Sequence, residues 1–237
     1  MPFYEREDKI IQILSSYEDT TLKVLSEKLF ISLPTLRRDL IKLEKKGIVS
    51  RMHGRVSLIK NSADTKIPFD IRVEEHNSAK NIIAKKATEY IKDGNIIMLD
   101  GSTSAYCMVP FLAEFKNLIV ITSGARTSIL LSHYGISNIC TGGRMINKSL
   151  SYVGNEAIST FSSYNADIAF FSCRGLSDDG NISDNSIEEN DVRRAMIKHS
   201  KRKYLLCDDS KIGTSHLNNL CNVSELDGVL CNIELSD

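Results

Sequence analysis

The chain has 237 residues, 42% of them hydrophobic and 25% charged, a balance that marks an ordinary globular protein with room for one small module and one larger one. No run approaches the roughly 18 apolar residues of a membrane span, and the stretch from Met1 to Asp8 lacks the apolar core of a signal peptide, so a cytoplasmic protein is expected. Formal net charge is zero, yet residues 1–60 hold 12 Lys+Arg against 8 Asp+Glu, and residues 32–60 alone hold 8 against 2. A compact basic segment in an otherwise neutral chain is the electrostatic footprint of a small DNA-binding head.

The first sixty residues read as three helices and a hairpin. Ile10, Ile11, Ile13 and Leu14 stripe a helix over about 6–16. Thr20 or Thr21 caps a second helix whose Leu22, Val24, Leu25 and Leu29 face inward. Ser32 stands as N-cap of a third, with Pro34 tolerated in its first turn and Gly47 placed to stop it. On that helix Leu33, Leu36, Leu40 and Leu43 recur at helical spacing and face the first two helices, leaving Pro34, Thr35, Arg38, Lys42 and Lys45 outward and Arg37 on the flank. A recognition helix enters the major groove N-terminus first, so Thr35, Arg37 and Arg38 sit where base edges and phosphates are met. An arginine there either bridges guanine O6 and N7, for ~1–3 kcal/mol of discrimination, or neutralises a phosphate. Asp39 has two readings, an intrahelical partner that orients an arginine or a solvated helix residue. After Gly47, two β-prone runs surround Gly54 and form the wing of a winged helix, with His53 and Arg55 at its tip. The candidate DNA contacts are therefore Thr21, Ser32, Pro34, Thr35, Arg37, Arg38, Lys42, His53 and Arg55.

The run from Leu22 to Arg55, with Ser32, Pro34-Thr35-Leu36-Arg37-Arg38-Asp39-Leu40, Leu43-Glu44, Gly47 and Arg51-Met52-His53-Gly54, resembles the N-terminal signature of DeoR-family regulators. Arg55 departs from it, because the family usually has a second glycine there.

Residues 60–76 are polar and lack a clear period, so they read as a linker between a DNA-binding domain over 1–59 and a second domain over 77–237. Beyond them a helix over 82–91 precedes buried strands at 96–99, 118–121, 136–140, 168–171, 204–207 and 229–231, with helix-length segments between several of them. This alternation predicts an α/β fold class: a small N-terminal winged helix-turn-helix domain followed by a larger, mostly parallel α/β sheet domain.

Ligands of such sheets bind beyond the C-terminal ends of the strands. Strand 96–99 runs into Asp100, Gly101, Ser102, Thr103 and Ser104, a small-residue turn opening a helix, suited to a phosphate. Strand 118–121 ends in Thr122-Ser123-Gly124, and another in Thr141-Gly142-Gly143. Glu188 and Glu189 open a helix carrying Arg193 and Arg194, where acidic first-turn residues serve either the helix dipole or a ligand. Asp208 and Lys211 follow strand 204–207, and Lys211 pairs either with a ligand phosphate or with a nearby aspartate.

These segments resemble the DeoR-family C-terminal domain through Asp93-Gly94, Leu99-Asp100-Gly101-Ser102-Thr103, Val120-Ile121-Thr122, Gly142-Gly143, Gly154, Asp167, Gly175, Glu189 to Met196, Asp208, Ser210-Lys211 and Gly213. The resemblance implies a fold like ribose-5-phosphate isomerase, a phosphorylated sugar or related metabolite as effector, release from double-stranded operator DNA as the outcome, and a homo-oligomer, dimer or tetramer. Ser123, Asn155 and Arg193 replace the family's usual asparagine, proline and lysine. The competing reading is a sugar-phosphate isomerase with an accessory domain, for which Asp100, Glu189 and Asp208 are the candidate bases. An enzyme has no need of a basic recognition helix with a wing, so a regulator is expected rather than an enzyme.

The six cysteines, Cys107, Cys140, Cys173, Cys207, Cys221 and Cys231, form no C-x-x-C pair and no zinc-ligand spacing with histidine. They read as reduced, mostly buried small side chains, and no metal or cofactor is expected.

Overall fold

A computed structural model describes residues 3–15, 20–45, 48–52, 54–58 and 68–234 of the protein. The chain divides into two units, Met1–Glu75 and His76–Asp237.

In the first unit, α1 (Phe3–Ser15), β1 (Thr20–Thr21), α2 (Leu22–Leu29) and α3 (Leu33–Lys45) precede a hairpin of β2 (Val49–Met52) and β3 (Arg55–Leu58), followed by α4 (Phe69–Glu74). Ile10, Ile11 and Leu14 of α1 meet Leu25 and Leu29 of α2 and Leu36, Leu40 and Leu43 of α3 in one core, closed by Val49 and Val56 from the hairpin. The Thr21 hydroxyl accepts from the Val24 N–H at 3.3 Å and caps α2. β1 adds to β3 through Thr20↔Val56 and Thr21↔Arg55, so the wing is a three-stranded sheet in the order β1-β3-β2. Gly54 supplies the positive φ of +77° that the hairpin turn requires. Arg55, where the family usually has glycine, lies in extended strand opposite Met52, a conformation open to any side chain. Gly47 and His53 lie outside the described residues. Helix α4 falls in the stretch read as a linker, and its Ile71 joins the same core.

The second unit runs α5 (Asn77–Thr88), β4 (Ile96–Leu99), α6 (Thr103–Leu112), β5 (Ile119–Thr122), α7 (Ala125–His133), β6 (Ser137–Cys140), β7 (Arg144–Ile146), β8 (Ser151–Val153), α8 (Asn155–Ser162), β9 (Ala166–Ser172), β10 (Gly175–Leu176), β11 (Asn181–Asp184), α9 (Ile187–Lys198), β12 (Ser200–Leu206), β13 (Asn218–Asn222) and β14 (Gly228–Leu230). Six of these strands form one parallel sheet in the order β14-β12-β9-β4-β5-β6. Strand side chains alternate between faces, and the sequence is apolar on both. Ile97, Leu99, Val120, Phe170 and Tyr204 pack with α5 and α6, while Met98, Ile121, Phe171 and Leu205 pack with α8 and α9. Two small antiparallel sheets, β7-β8 and β10-β11-β13, are added.

The strand order carries the consequence for function. From β4 the chain proceeds outward through β5 and β6, whereas β9, β12 and β14 build in the opposite direction. The reversal falls between β4 and β9, and at such a switch point the connections diverge and leave a crevice beyond the strand ends.

Candidate functional site

Helix α3 separates its faces sharply. Leu36, Asp39, Leu40 and Leu43 are buried, and Pro34, Arg37, Arg38, Lys42 and Lys45 are exposed. Ser32 precedes the helix, and its hydroxyl lies 2.9 Å from that of Thr35 and 3.4 Å from the Thr35 N–H, so both polar groups stand at the positive end of α3. Thr21 at the start of α2 and Arg55 on the wing are exposed as well. Asp39 fits neither expectation made for it. Its carboxylate is buried and takes two hydrogen bonds from Arg6 of α1, Nε at 2.6 Å and a terminal nitrogen at 3.0 Å. It fastens α3 to α1 and does not orient an outward arginine, because it lies on the Leu36 and Leu40 side of the helix. Leu33 also departs from its expected inward position: it is 38% exposed at the first turn, ahead of the buried stripe. Glu44 of α3 takes a hydrogen bond from Arg51 Nε at 3.0 Å, tying β2 to α3.

In the second unit the crevice at the β4/β9 switch point is a narrow cleft lined by Asp100, Gly101, Ser123, Ser151, Tyr152, Glu189, Val192 and Arg193. Asp100 joins the two diverging strands: its Oδ1 accepts the Ser102 N–H at 3.1 Å and its Oδ2 the Ser172 N–H at 3.1 Å. The same Oδ2 receives Arg193 Nε at 3.0 Å, and Arg193 reaches Asp184 at 2.8 Å and Asn190 at 3.0 Å. Burial would disfavour the Arg193 charge, but Asp184 and Asp100 outweigh it and hold its pKa above the usual arginine value. Burial likewise pushes Asp184 up, and the Arg193 charge overrides it, leaving the carboxyl below the usual range.

Ser102 caps α6 through its hydroxyl, which accepts the Ala105 N–H at 3.1 Å, and Thr103 begins that helix, so the positive end of α6 lies at the edge of the cleft. Ser151 covers the turn: a Cβ placed on Gly101 would lie 2.4 Å from the Cβ of Ser151. Its hydroxyl donates to Glu189 at 2.6 Å and lies 2.7 Å from the Ser149 hydroxyl. Of the two acidic residues opening α9, Glu188 pairs with Arg144 outside and Glu189 turns into the cleft. Lys211 takes the aspartate alternative, with its Nζ 2.8 Å from Asp208 and 3.0 Å from the Ser172 hydroxyl. Asp208 is raised by burial and lowered more strongly by Lys211 and Ser210, which hold it at about 2.

The expected cleft residues thus divide. Asp100, Gly101, Ser123, Glu189 and Arg193 line the space, Ser102 and Thr103 form the turn behind it, and Lys211 is linked to Asp100 by two hydrogen bonds through Ser172, with Asp208 beyond it. Thr122 is fully buried, its hydroxyl accepting the Gly124 N–H at 3.0 Å. Gly142, Gly143 and Gly175 are outside the lining. A Cβ on Gly143 would meet the Val153 carbonyl oxygen at 2.7 Å, and one on Gly175 the Thr214 carbonyl oxygen at 2.6 Å, so those two glycines permit close backbone packing. Sequence reasoning missed Ser151, Tyr152 and Asp184, which come from short segments with no apolar period to mark them, and Asn190, which lies on the located helix α9. Among the described residues there is no cluster of three or more His, Cys, Asp or Glu able to hold a metal, and no helix is long and apolar enough to cross a membrane.

A family model described as the DeoR-like helix-turn-helix domain matches residues 6–62, and one described as the DeoR C terminal sensor domain matches residues 75–232. The uncharacterized HTH-type transcriptional regulator YulB of Bacillus subtilis is 35% identical over 226 residues, covering 94% of this chain and 87% of that protein. The L-fucose operon activator of Escherichia coli K12 is 31% identical over 211 residues, 89% of this chain and 87% of that protein. Among solved structures, eIF2B delta from Chaetomium thermophilum shares the fold at a TM-score of 0.51 and 20% identity, over 70% of this chain and 60% of that one. Ribose 5-phosphate isomerase A from Methanocaldococcus jannaschii aligns at a TM-score of 0.44 and 17% identity over 58% of this chain, which spans 55% of that enzyme. With a DeoR-like reading head at one end and a DeoR sensor domain filling most of the remainder, this chain belongs to the DeoR family of DNA-binding transcription regulators.

Proposed function

We propose that the protein is a cytoplasmic repressor that grips a repeated operator as a homo-oligomer and lets go when a phosphorylated sugar or related metabolite enters the cleft at the end of β4. The observation that carries the reading is the outward basic face of α3, Arg37, Arg38 and Lys42, set against a buried face of leucines and Asp39. Thr21, Ser32, Pro34 and Thr35 fit the phosphates flanking the groove, and His53 and Arg55 of the wing fit the adjoining backbone. In the cleft, the positive end of α6 and the turn at Gly101–Thr103 suit the phosphate, and Glu189 suits a sugar hydroxyl that replaces that of Ser151. Thr122, Gly142, Gly143 and Gly175, outside the lining, take no direct part in this reading, and Arg193 acts through Asp100. The domain limits follow: a DNA-binding domain over 1–59, with α4 packed on it from the linker stretch over 60–76, and a sensor over 77–237.

Sensing is preferred over catalysis because each candidate base is already engaged, Asp100 by Arg193, Glu189 by Ser151 and Asp208 by Lys211. Turnover of pentose or hexose phosphates by the purified protein would decide for an isomerase instead.

Effector and operator must be coupled, since a ligand moves an equilibrium only by binding its two states unequally. Arg38→Ala is expected to weaken operator binding while sparing the thermal stabilisation given by a sugar phosphate. Ser102→Ala, at the positive end of α6, is expected to do the reverse. Both affinities measured for both variants test the assignment, and loss of the same one in each would refute it.

A further inference from the structure

Helix α3 buries Leu36, Asp39, Leu40 and Leu43, and at about 100° per residue Pro34, Arg38, Ile41 and Lys45 lie within about 30° of the direction opposite them. Ile41 is 42% exposed and takes no part in the core that Leu36, Leu40 and Leu43 build with α1, α2 and the hairpin. Its neighbours one turn away on the helix surface are Arg37 and Arg38 before it and Glu44 and Lys45 after it, all exposed. Glu44 is engaged by Arg51 of β2, so the charge left around Ile41 is positive.

A single exposed isoleucine is ordinary on a protein surface. This one stands where a straight-chain residue would serve the helix better, because a β-branched side chain loses rotamer freedom against the preceding turn. The basic ring around it fits a polyanion, and the outward face of a recognition helix is the part that enters the major groove. The base edges there offer hydrogen-bonding groups, and thymine adds a methyl group at C5. Isoleucine neither donates nor accepts. Set against guanine O6 and N7, or the amino group of adenine or cytosine, it would strip water from a polar edge and return no hydrogen bond. Against the thymine methyl both surfaces are apolar. Its stiff χ1 also leaves little side-chain freedom to lose on contact, less than the long cations beside it would lose.

We propose that Ile41 is a specificity-determining residue of the DNA interface, packing on the 5-methyl group of a thymine in the operator while Arg37, Arg38 and Lys45 meet polar base edges and phosphates. The proposal rests on the reading of α3 as the recognition helix. One methyl group withdrawn from water is worth about fourfold in a binding constant.

The full-length protein selects its preferred duplex from a random-sequence library. Fluorescence anisotropy then gives its affinity for that duplex and for copies in which one thymidine at a time is replaced by deoxyuridine, which removes the methyl group and nothing else. Expected for the wild type is at least one position where deoxyuridine weakens binding about fourfold. Ile41→Ala should bind the thymidine duplex more weakly and lose most of the penalty at that position, while other thymidines behave alike in both proteins. Alanine is the better helix former at an exposed site, so the variant keeps α3. Tolerance of deoxyuridine at every position overturns the inference, and so does a methyl-sensitive position that survives undiminished in Ile41→Ala, which would pass the thymine to Pro34 or another residue. Arg38→Ala separates this failure from that of the underlying reading. Weaker binding in that variant with every deoxyuridine tolerated by the wild type sinks Ile41 alone, whereas unchanged binding takes α3 off the DNA and both fall.

Discussion

Arg193 shows what geometry adds to charge. Its guanidinium reaches Asp100 from one nitrogen and Asp184 from another, a fork that a lysine ammonium cannot reproduce at two sites. Arg193→Lys should therefore lose one partner and keep the other. Arg193→Met leaves two buried carboxylates uncompensated and should cost about 3–5 kcal/mol in urea unfolding, clearly more than the lysine variant. Equal losses would show that the fork contributes nothing beyond charge. Arg6 and Arg38 divide similarly. Arg6 holds the buried Asp39, so Arg6→Ala should weaken operator binding by loosening α3 and leave its dependence on salt unchanged. Arg38 is exposed on the outward face, and if it meets a phosphate, Arg38→Ala should lower the salt slope by about one.

At the scale of elements, α2 ends on an unusual residue. Phe30 occupies the left-handed region at φ +52° as its C-cap and is 95% exposed, so it carries the strain of that conformation without the burial an aromatic ring normally gains. Phe30→Gly should raise stability by about 1 kcal/mol in thermal or urea unfolding. A loss of operator binding in that stabilised variant would assign the ring a role on DNA.

Elements were legible in proportion to their apolar period. All six strands of the parallel sheet were located, because sheets covered on both faces demand continuous apolar runs such as Ile96, Ile97, Met98 and Leu99. The helices of the reading head were legible from apolar spacing, with Val24 and Leu33, expected inward but exposed, the exceptions. Strands β11 and β13, Asn-Ile-Ser-Asp and Asn-Asn-Leu-Cys-Asn, pair in a small three-stranded sheet and have too few apolar residues to announce themselves. Helix α4 has only six residues and was lost in the polar stretch around it. In the cleft, the turn at Asp100 was visible because it ends a strand, whereas Ser151 and Asp184 arrive by tertiary folding alone. The pairing of Arg6 with Asp39 spans 33 positions, beyond any local rule.

For the whole molecule, zero net charge conceals a basic reading head and a sensor in which several carboxylates, among them Asp100, Asp184 and Asp208, are buried in internal pairs. Asp167, Asp184 and Asp208 all have folded pKa values below their ordinary ones. A depressed carboxyl pKa contributes stability that is fully present above the unfolded value, about 4, and is lost as pH falls through the folded value. Asp208, held at about 2, places the loss between about pH 4 and about pH 2. Urea midpoints followed across that window should fall steeply in the wild type and less steeply in Asp208→Asn. Parallel curves would mean that the pair with Lys211 contributes no pH-dependent stability.

Gly101 leaves no spare volume beside Ser151, and its backbone is one that alanine adopts without strain. A single methyl group there would force Ser151 aside and disturb its grip on Glu189, spoiling the chamber while the reading head stays untouched. If the protein is the repressor proposed above, cells carrying Gly101→Ala should keep the target promoter silent whatever sugar they are fed, a deaf regulator with intact hands.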